Sequence, residues 1–149
     1  MDLIRESKPQ ASQESVQNPS PGSSVLFLCE DSEDDEFWFR KTFQKAGLSA
    51  SIFVVPTVRQ AIASLQQRCE TGQNLPRLIV LDFRLSDGKC TEVLEFIRGE
   101  EKLRKTPVIT YSGGLNKEDL ESTAKYGVIA SLEKPLTVEK IETFRPFLA

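Results

Sequence analysis

The sequence of 149 residues contains no histidine. That absence removes Ser-His-Asp and Cys-His catalysis together with the commonest general base near neutral pH. Chemistry must then rest on carboxylates, Lys, Ser or Thr. Cysteine is scarce as well: Cys29, Cys69 and Cys90 are odd in number and far apart, and without a C-x-x-C pair or a histidine nothing completes a zinc set. They read as reduced thiols. No apolar run approaches the roughly 20 residues that a membrane span needs, and the amino terminus lacks the apolar core of a signal peptide. A soluble, cytoplasmic protein with no membrane partner is the expectation. Basic excess is missing too, with 19 basic and 22 acidic residues largely interspersed and a net charge of −3. No positive stripe faces a phosphate backbone, so direct nucleic-acid binding is not expected.

What is present suffices for one core, since 39% of the residues are hydrophobic. Residues 1 to 24 are rich in Ser, Gln and Pro and predict a flexible tail. From Val25 to the end, short β-branched or apolar runs alternate with helical patterns, the signature of β-α units on a parallel sheet. Five strands are expected: Val25 to Cys29, Ser51 to Val55, Leu78 to Leu81, Val108 to Tyr111 and Ile129 to Leu132. The first helix, from about Asp34 to Ala46, places Phe39, Phe43 and Ala46 inward and ends at Gly47. Its acidic first turn, Asp34, Asp35 and Glu36, complements the helix dipole, and Asp34 and Asp35 are assigned no other role. Phe37 and Trp38 flank the inward stripe, so one of them should be partly exposed. A second helix opens on the capping box Thr57-Val58-Arg59-Gln60, with Val58, Ile62 and Leu65 inward, and runs to Gly72. A third covers roughly Cys90 to Arg98 and a fourth starts after the cap Asn116. The fifth starts at Thr137 and should be cut to about two turns by Pro146.

The strand ends carry the chemistry. The most apolar run, Leu78-Ile79-Val80-Leu81, ends in Asp82, and the first strand ends in Glu30-Asp31. Open α/β sheets bind ligands at such carboxyl ends. The fourth strand leads into Ser112-Gly113-Gly114 and the fifth into Glu133-Lys134-Pro135. Crowded carboxylates destabilise one another and invite a divalent cation, and Mg²⁺ suits a few acids with retained waters. A hydroxyl and an ammonium opposite them suit the spread charge of a transferring phosphoryl group. The set makes sense as phosphoryl transfer onto Asp82.

On these residues, Val25 to Asp31, Leu78 to Asp82 with Leu85 to Gly88, Pro107 to Gly113 and Lys134-Pro135, the chain from about 25 to 149 resembles a stand-alone receiver domain of the two-component response regulators. The resemblance implies a flavodoxin-like, doubly wound α/β fold whose five-stranded parallel sheet has the order 2-1-3-4-5, with five helices. It implies that Asp82 is the phosphoacceptor, loaded from a sensor histidine kinase or a histidine phosphotransfer protein. Mg²⁺ would be held by Asp31 directly, Glu30 through water, Asp82 by its carboxylate and Arg84 by its backbone carbonyl, with Ser112 and Lys134 completing the set. A cis Lys134-Pro135 bond fits the family.

Three positions depart from the family pattern. Ser131 stands three before the lysine, where a movable Tyr or Phe is common. Ser86 replaces a common Pro, and Glu30 is the longer of the two acids found first in the pair. The expected function is therefore a phosphorelay switch that changes its affinity for an unknown downstream protein. It would not be an enzyme, since the sequence leaves no room for an output domain, and a homodimer is left open. Ser131 keeps alive the alternative of a receiver-like interaction module that needs no phosphorylation. An aspartate-dependent phosphatase is disfavoured, because Arg84 occupies the place of its second acid.

Overall fold

The computed structural model describes residues 24–148. The expected tail lies outside this range except for Ser24. Its hydroxyl donates to the Leu148 carbonyl at 3.1 Å, and its own carbonyl accepts from the Ser51 amide at 2.8 Å.

Five strands, β1 (Val25–Cys29), β2 (Ser51–Val55), β3 (Leu78–Asp82), β4 (Val108–Ser112) and β5 (Ala130–Glu133), form one parallel sheet in the order β2-β1-β3-β4-β5. This is the doubly wound order expected. β1, β3 and β4 are buried along their whole length, because helices cover both faces of the sheet. Alternation then divides the side chains between two cores. On one face Phe27, Ile79 and Leu81 pack with α2 (Val58–Thr71) and α3 (Cys90–Gly99). On the other, Leu26, Leu28, Val80, Ile109 and Tyr111 pack with Phe39 and Phe43 of α1 (Glu33–Lys45) and with Ile141, Phe144 and Leu148 near the carboxyl end. Each such large apolar side chain contributes on the order of 1.5–3 kcal/mol when buried.

Local signals set the helix ends. Ser32 caps α1 by accepting from the Asp35 amide at 3.2 Å, and Thr57 caps α2 through the Gln60 amide at 3.0 Å. Asn116 does the same for α4 (Lys117–Ala124), accepting from Asp119 at 2.8 Å. Gly47 and Gly72 follow α1 and α2 with φ of 75° and 71°, the left-handed geometry that ends a helix cheaply only at glycine.

Several elements differ from the sequence reading. β3 and β4 run one residue further, so Asp82 and Ser112 lie within the strands, while β5 begins and ends one residue later than expected. The carboxyl end also does not stop before Pro146. α5 (Val138–Ile141) passes through a 3₁₀ turn at Glu142–Phe144 into a fresh turn, α6 (Arg145–Leu148). Pro146 sits in the first positions of that turn, where the missing N–H costs nothing.

Because α1 and α3 leave adjacent strands β1 and β3 for opposite faces, a crevice opens between the carboxyl ends of those strands. Glu30 and Asp82 stand at its edges. Among the described residues no helix is long and apolar enough to cross a membrane.

Candidate functional site

Lys134 is the centre of the crevice. It follows β5, its amide bonds to the Ser112 carbonyl at 2.7 Å, and its peptide to Pro135 is cis. The ammonium donates to Asp35 Oδ2 at 2.7 Å, Asp82 Oδ2 at 3.0 Å and Glu30 Oε1 at 3.1 Å. An ammonium has three protons, so its donor capacity is filled by these carboxylates. Oxygens of Glu30, Asp35 and Asp82 lie within 4.8 Å of one another. A hard-oxygen set of this kind fits Mg²⁺ or Mn²⁺.

Asp35 is the member that sequence reasoning missed. As an acid in the first turn of α1 it was fully accounted for by the helix dipole; the structure brings it onto Lys134 instead. Asp31 stays at the exposed edge, with the Ser86 backbone amide bonding its carboxylate. Burial and then the neighbouring Glu30 charge raise its carboxyl above the usual range. The implied direct metal ligand and the acid nearest to Lys134 are thus different residues.

Glu30 is enclosed on all sides. Its Oε1 accepts from the Tyr111 hydroxyl as well as Lys134, and its Oε2 accepts from the Ser32 amide at 3.0 Å. Burial, then the Asp82 charge, pushes its carboxyl up to about 7, against the opposing pull of Tyr111, Ser32 and Lys134. Burial alone would lower the Lys134 ammonium, but its bonds to Asp35 and Asp82 and the Glu30 charge hold it well above the ordinary lysine range. The phenol of Tyr111, buried and facing Glu30, is pushed up in turn. Its ring lies under the Lys134 ammonium, 4.6 Å from centroid to nitrogen, and meets Phe39 edge-on at 6.0 Å. A tyrosine in a strand buried along its whole length must find a partner for its hydroxyl, and that requirement was the available clue.

Ser112 reaches the same strand-end layer, since Asp82 is in register with Tyr111 and Ser112 with Glu133. Its hydroxyl is turned into the following loop, 3.1 Å from the Gly114 carbonyl and 3.3 Å from the Gly114 amide. Arg84, two residues past Asp82, belongs to a two-residue antiparallel ribbon with Lys89.

Known proteins resemble this arrangement. No protein-family model matches the chain. A protein described as "Probable methanogenesis regulatory protein FilR2" of Methanothrix harundinacea is 28% identical over 118 residues, 79% of this chain and 76% of its own length. The polar-differentiation response regulator DivK of Brucella ovis is 27% identical over 124 residues, 83% of this chain and 94% of DivK. The crystal structure of the Mn²⁺-bound response regulator Rcp1 superposes with a TM-score of 0.71 at 26% identity, over 82% of this chain and 94% of that one. The chain resembles response-regulator receiver domains in both sequence and fold.

Further contacts surround the crevice. The Arg84 guanidinium crosses to α4 and pairs with the buried Asp119 at 3.0 Å. Asp87, in the same loop, accepts from the Val58 and Arg59 amides at 2.8 and 3.1 Å and so caps α2 a second time. At Ser131, where an aromatic was noted as missing, the hydroxyl lies 2.8 Å from the Thr110 hydroxyl. Both Phe37 and Trp38 are exposed, and Trp38 lines a shallow groove with Asp35, Thr42, Tyr111, Lys134 and Pro135. Cys29, Cys69 and Cys90 are buried thiols, and burial pushes each of them up, away from reactivity.

Proposed function

We propose that this receiver accepts a phosphoryl group on Asp82 from the phosphohistidine of a sensor kinase or phosphotransfer protein, and that the modified state changes its affinity for a partner protein. The observation that carries the reading is the Lys134 ammonium, 3.0 Å from Asp82 and fixed by two further acids. In the transfer, the P–N bond to the donor imidazole breaks as a P–O bond forms at the Asp82 carboxylate. The imidazole leaves with the electron pair and takes up a proton from water. Asp82 is the nucleophile at the strand end, Lys134 offsets charge on the phosphoryl oxygens, and Ser112 reaches them once its hydroxyl turns from Gly114. Glu30 and Asp82, with Asp31 or Asp35, would hold Mg²⁺, the counterpart of the Mn²⁺ in Rcp1. When bound, the cation neutralises charge between the carboxylates and the incoming phosphoryl group. The protein itself is a switch and not an enzyme, and it resides in the cytoplasm with its kinase or phosphotransfer partner.

Beryllofluoride with Mg²⁺, or acetyl phosphate, tests this. Amide resonances of Asp82, Ser112 and Lys134 are expected to shift in the wild type and stay still in Asp82→Asn; a silent wild type would overturn the proposal. One observation favours the second reading, a phosphorylation-independent interaction module. Ser131 is held by Thr110 and offers no ring to move. In that case partner binding would be the same for wild type and Asp82→Asn.

A further inference from the structure

Lys134 spends all its donors before any phosphoryl group arrives. A phosphoryl group on Asp82 carries up to about two negative charges in place of the carboxylate's one and offers three acceptor oxygens, and Lys134 must release at least one carboxylate to bond them. The three bonds are not equally easy to give up. Glu30 has a side chain with 0% exposure, and breaking its bond would leave the carboxylate less compensated where water does not reach. Asp82 carries the phosphoryl group itself. Asp35 is 40% exposed, so water replaces Lys134 there at little cost, yet its bond is the shortest of the three at 2.7 Å.

We propose that Asp35 is a positioning residue for the phosphorylated state: it holds the Lys134 ammonium toward α1, and Lys134 leaves Asp35 for the phosphoryl oxygens when Asp82 is modified. This rests on the phosphoacceptor reading above and assigns to Asp35 the setting of its threshold. The acid competes with the phosphoryl group for one ammonium, so it weakens the modified state relative to the free one. Asp35 sits on the first turn of α1, beside exposed Trp38 in the same groove, and a partner covering that turn would alter the competition.

The test is beryllofluoride titration of the full chain, followed by amide resonances, at Mg²⁺ concentrations shown by calorimetry to saturate each variant. Asp35→Asn is expected to bind about two- to five-fold more tightly than wild type, the range that a partly exposed ion pair supports. Asp35→Glu restores the carboxylate and is expected to bind like wild type. The Lys134 ammonium resonance should move in unliganded Asp35→Asn and not in Asp35→Glu, which a merely structural role would not produce. Equal or weaker binding by Asp35→Asn overturns the proposal, as does Asp35→Glu behaving like Asp35→Asn. A wild type that does not bind beryllofluoride removes the phosphoacceptor reading and this proposal together; a wild type that binds while Asp35→Asn merely matches it removes this proposal alone.

Discussion

Replacing Lys134 by methionine keeps most of the side-chain volume and deletes the ammonium, leaving Glu30, Asp35 and Asp82 with oxygens within 4.8 Å of one another and no cation between them. The bonds to Glu30 and Asp82 are charge-assisted and buried, and each contributes about 1.5–3 kcal/mol. The more exposed Asp35 bond contributes at most about 1 kcal/mol. Against these, the variant no longer desolvates an ammonium, which offsets several kcal/mol. The net expectation is a loss of about 2–4 kcal/mol at pH 8 in EDTA, read as a urea midpoint lower by about 1–2 M for a slope of about 2 kcal/mol/M. Mg²⁺ should then stabilise Lys134→Met more than wild type, because the cation meets three acids without a competing ammonium. At one hundred times its dissociation constant it contributes about 2.7 kcal/mol. Equal midpoints in EDTA, or equal stabilisation by Mg²⁺, would refute the view that Lys134 compensates these acids.

Two further outcomes follow from Glu30. Its folded carboxyl, raised to about 7 from an ordinary 4.5, binds a proton that the unfolded chain has released, so in EDTA this group's stabilising contribution is complete below about pH 4.5 and is lost as pH rises to about 7. Mg²⁺ affinity should run the opposite way, climbing up to about tenfold per pH unit toward 7 and levelling above it, as calorimetry at several pH values would show. Tyr111→Phe removes a donor from Glu30 and should cost about 1–2 kcal/mol in urea unfolding. It should also raise the Glu30 titration midpoint, measured by carboxyl carbon resonances; an unmoved midpoint would mean that the phenol does not support the carboxylate.

The strands were legible because each central strand is buried on both faces and reads as an apolar run ending in a polar residue, whereas their order followed from the resemblance to receiver domains. Asp82 and Glu30 stood out at such ends for the same reason. Asp35 did not, because its sequence neighbours offered a sufficient local explanation, while its meeting with Lys134 across 99 positions depends on how α1 packs against α5. Asp87 was hidden likewise: its bonds are to backbone amides of α2, 28 and 29 positions away, and amides leave no mark in a sequence. Pro146 was misjudged through a rule for helix interiors, when it occupies the opening of a new turn.

The chain holds a single tryptophan, and that residue, 63% exposed, stands at the rim of the groove that Asp35 and Lys134 share. The molecule therefore carries its own optical reporter. Its emission will follow a rearrangement of charges a few side chains away, and will shift to the blue when another protein covers α1, with no dye or tag attached.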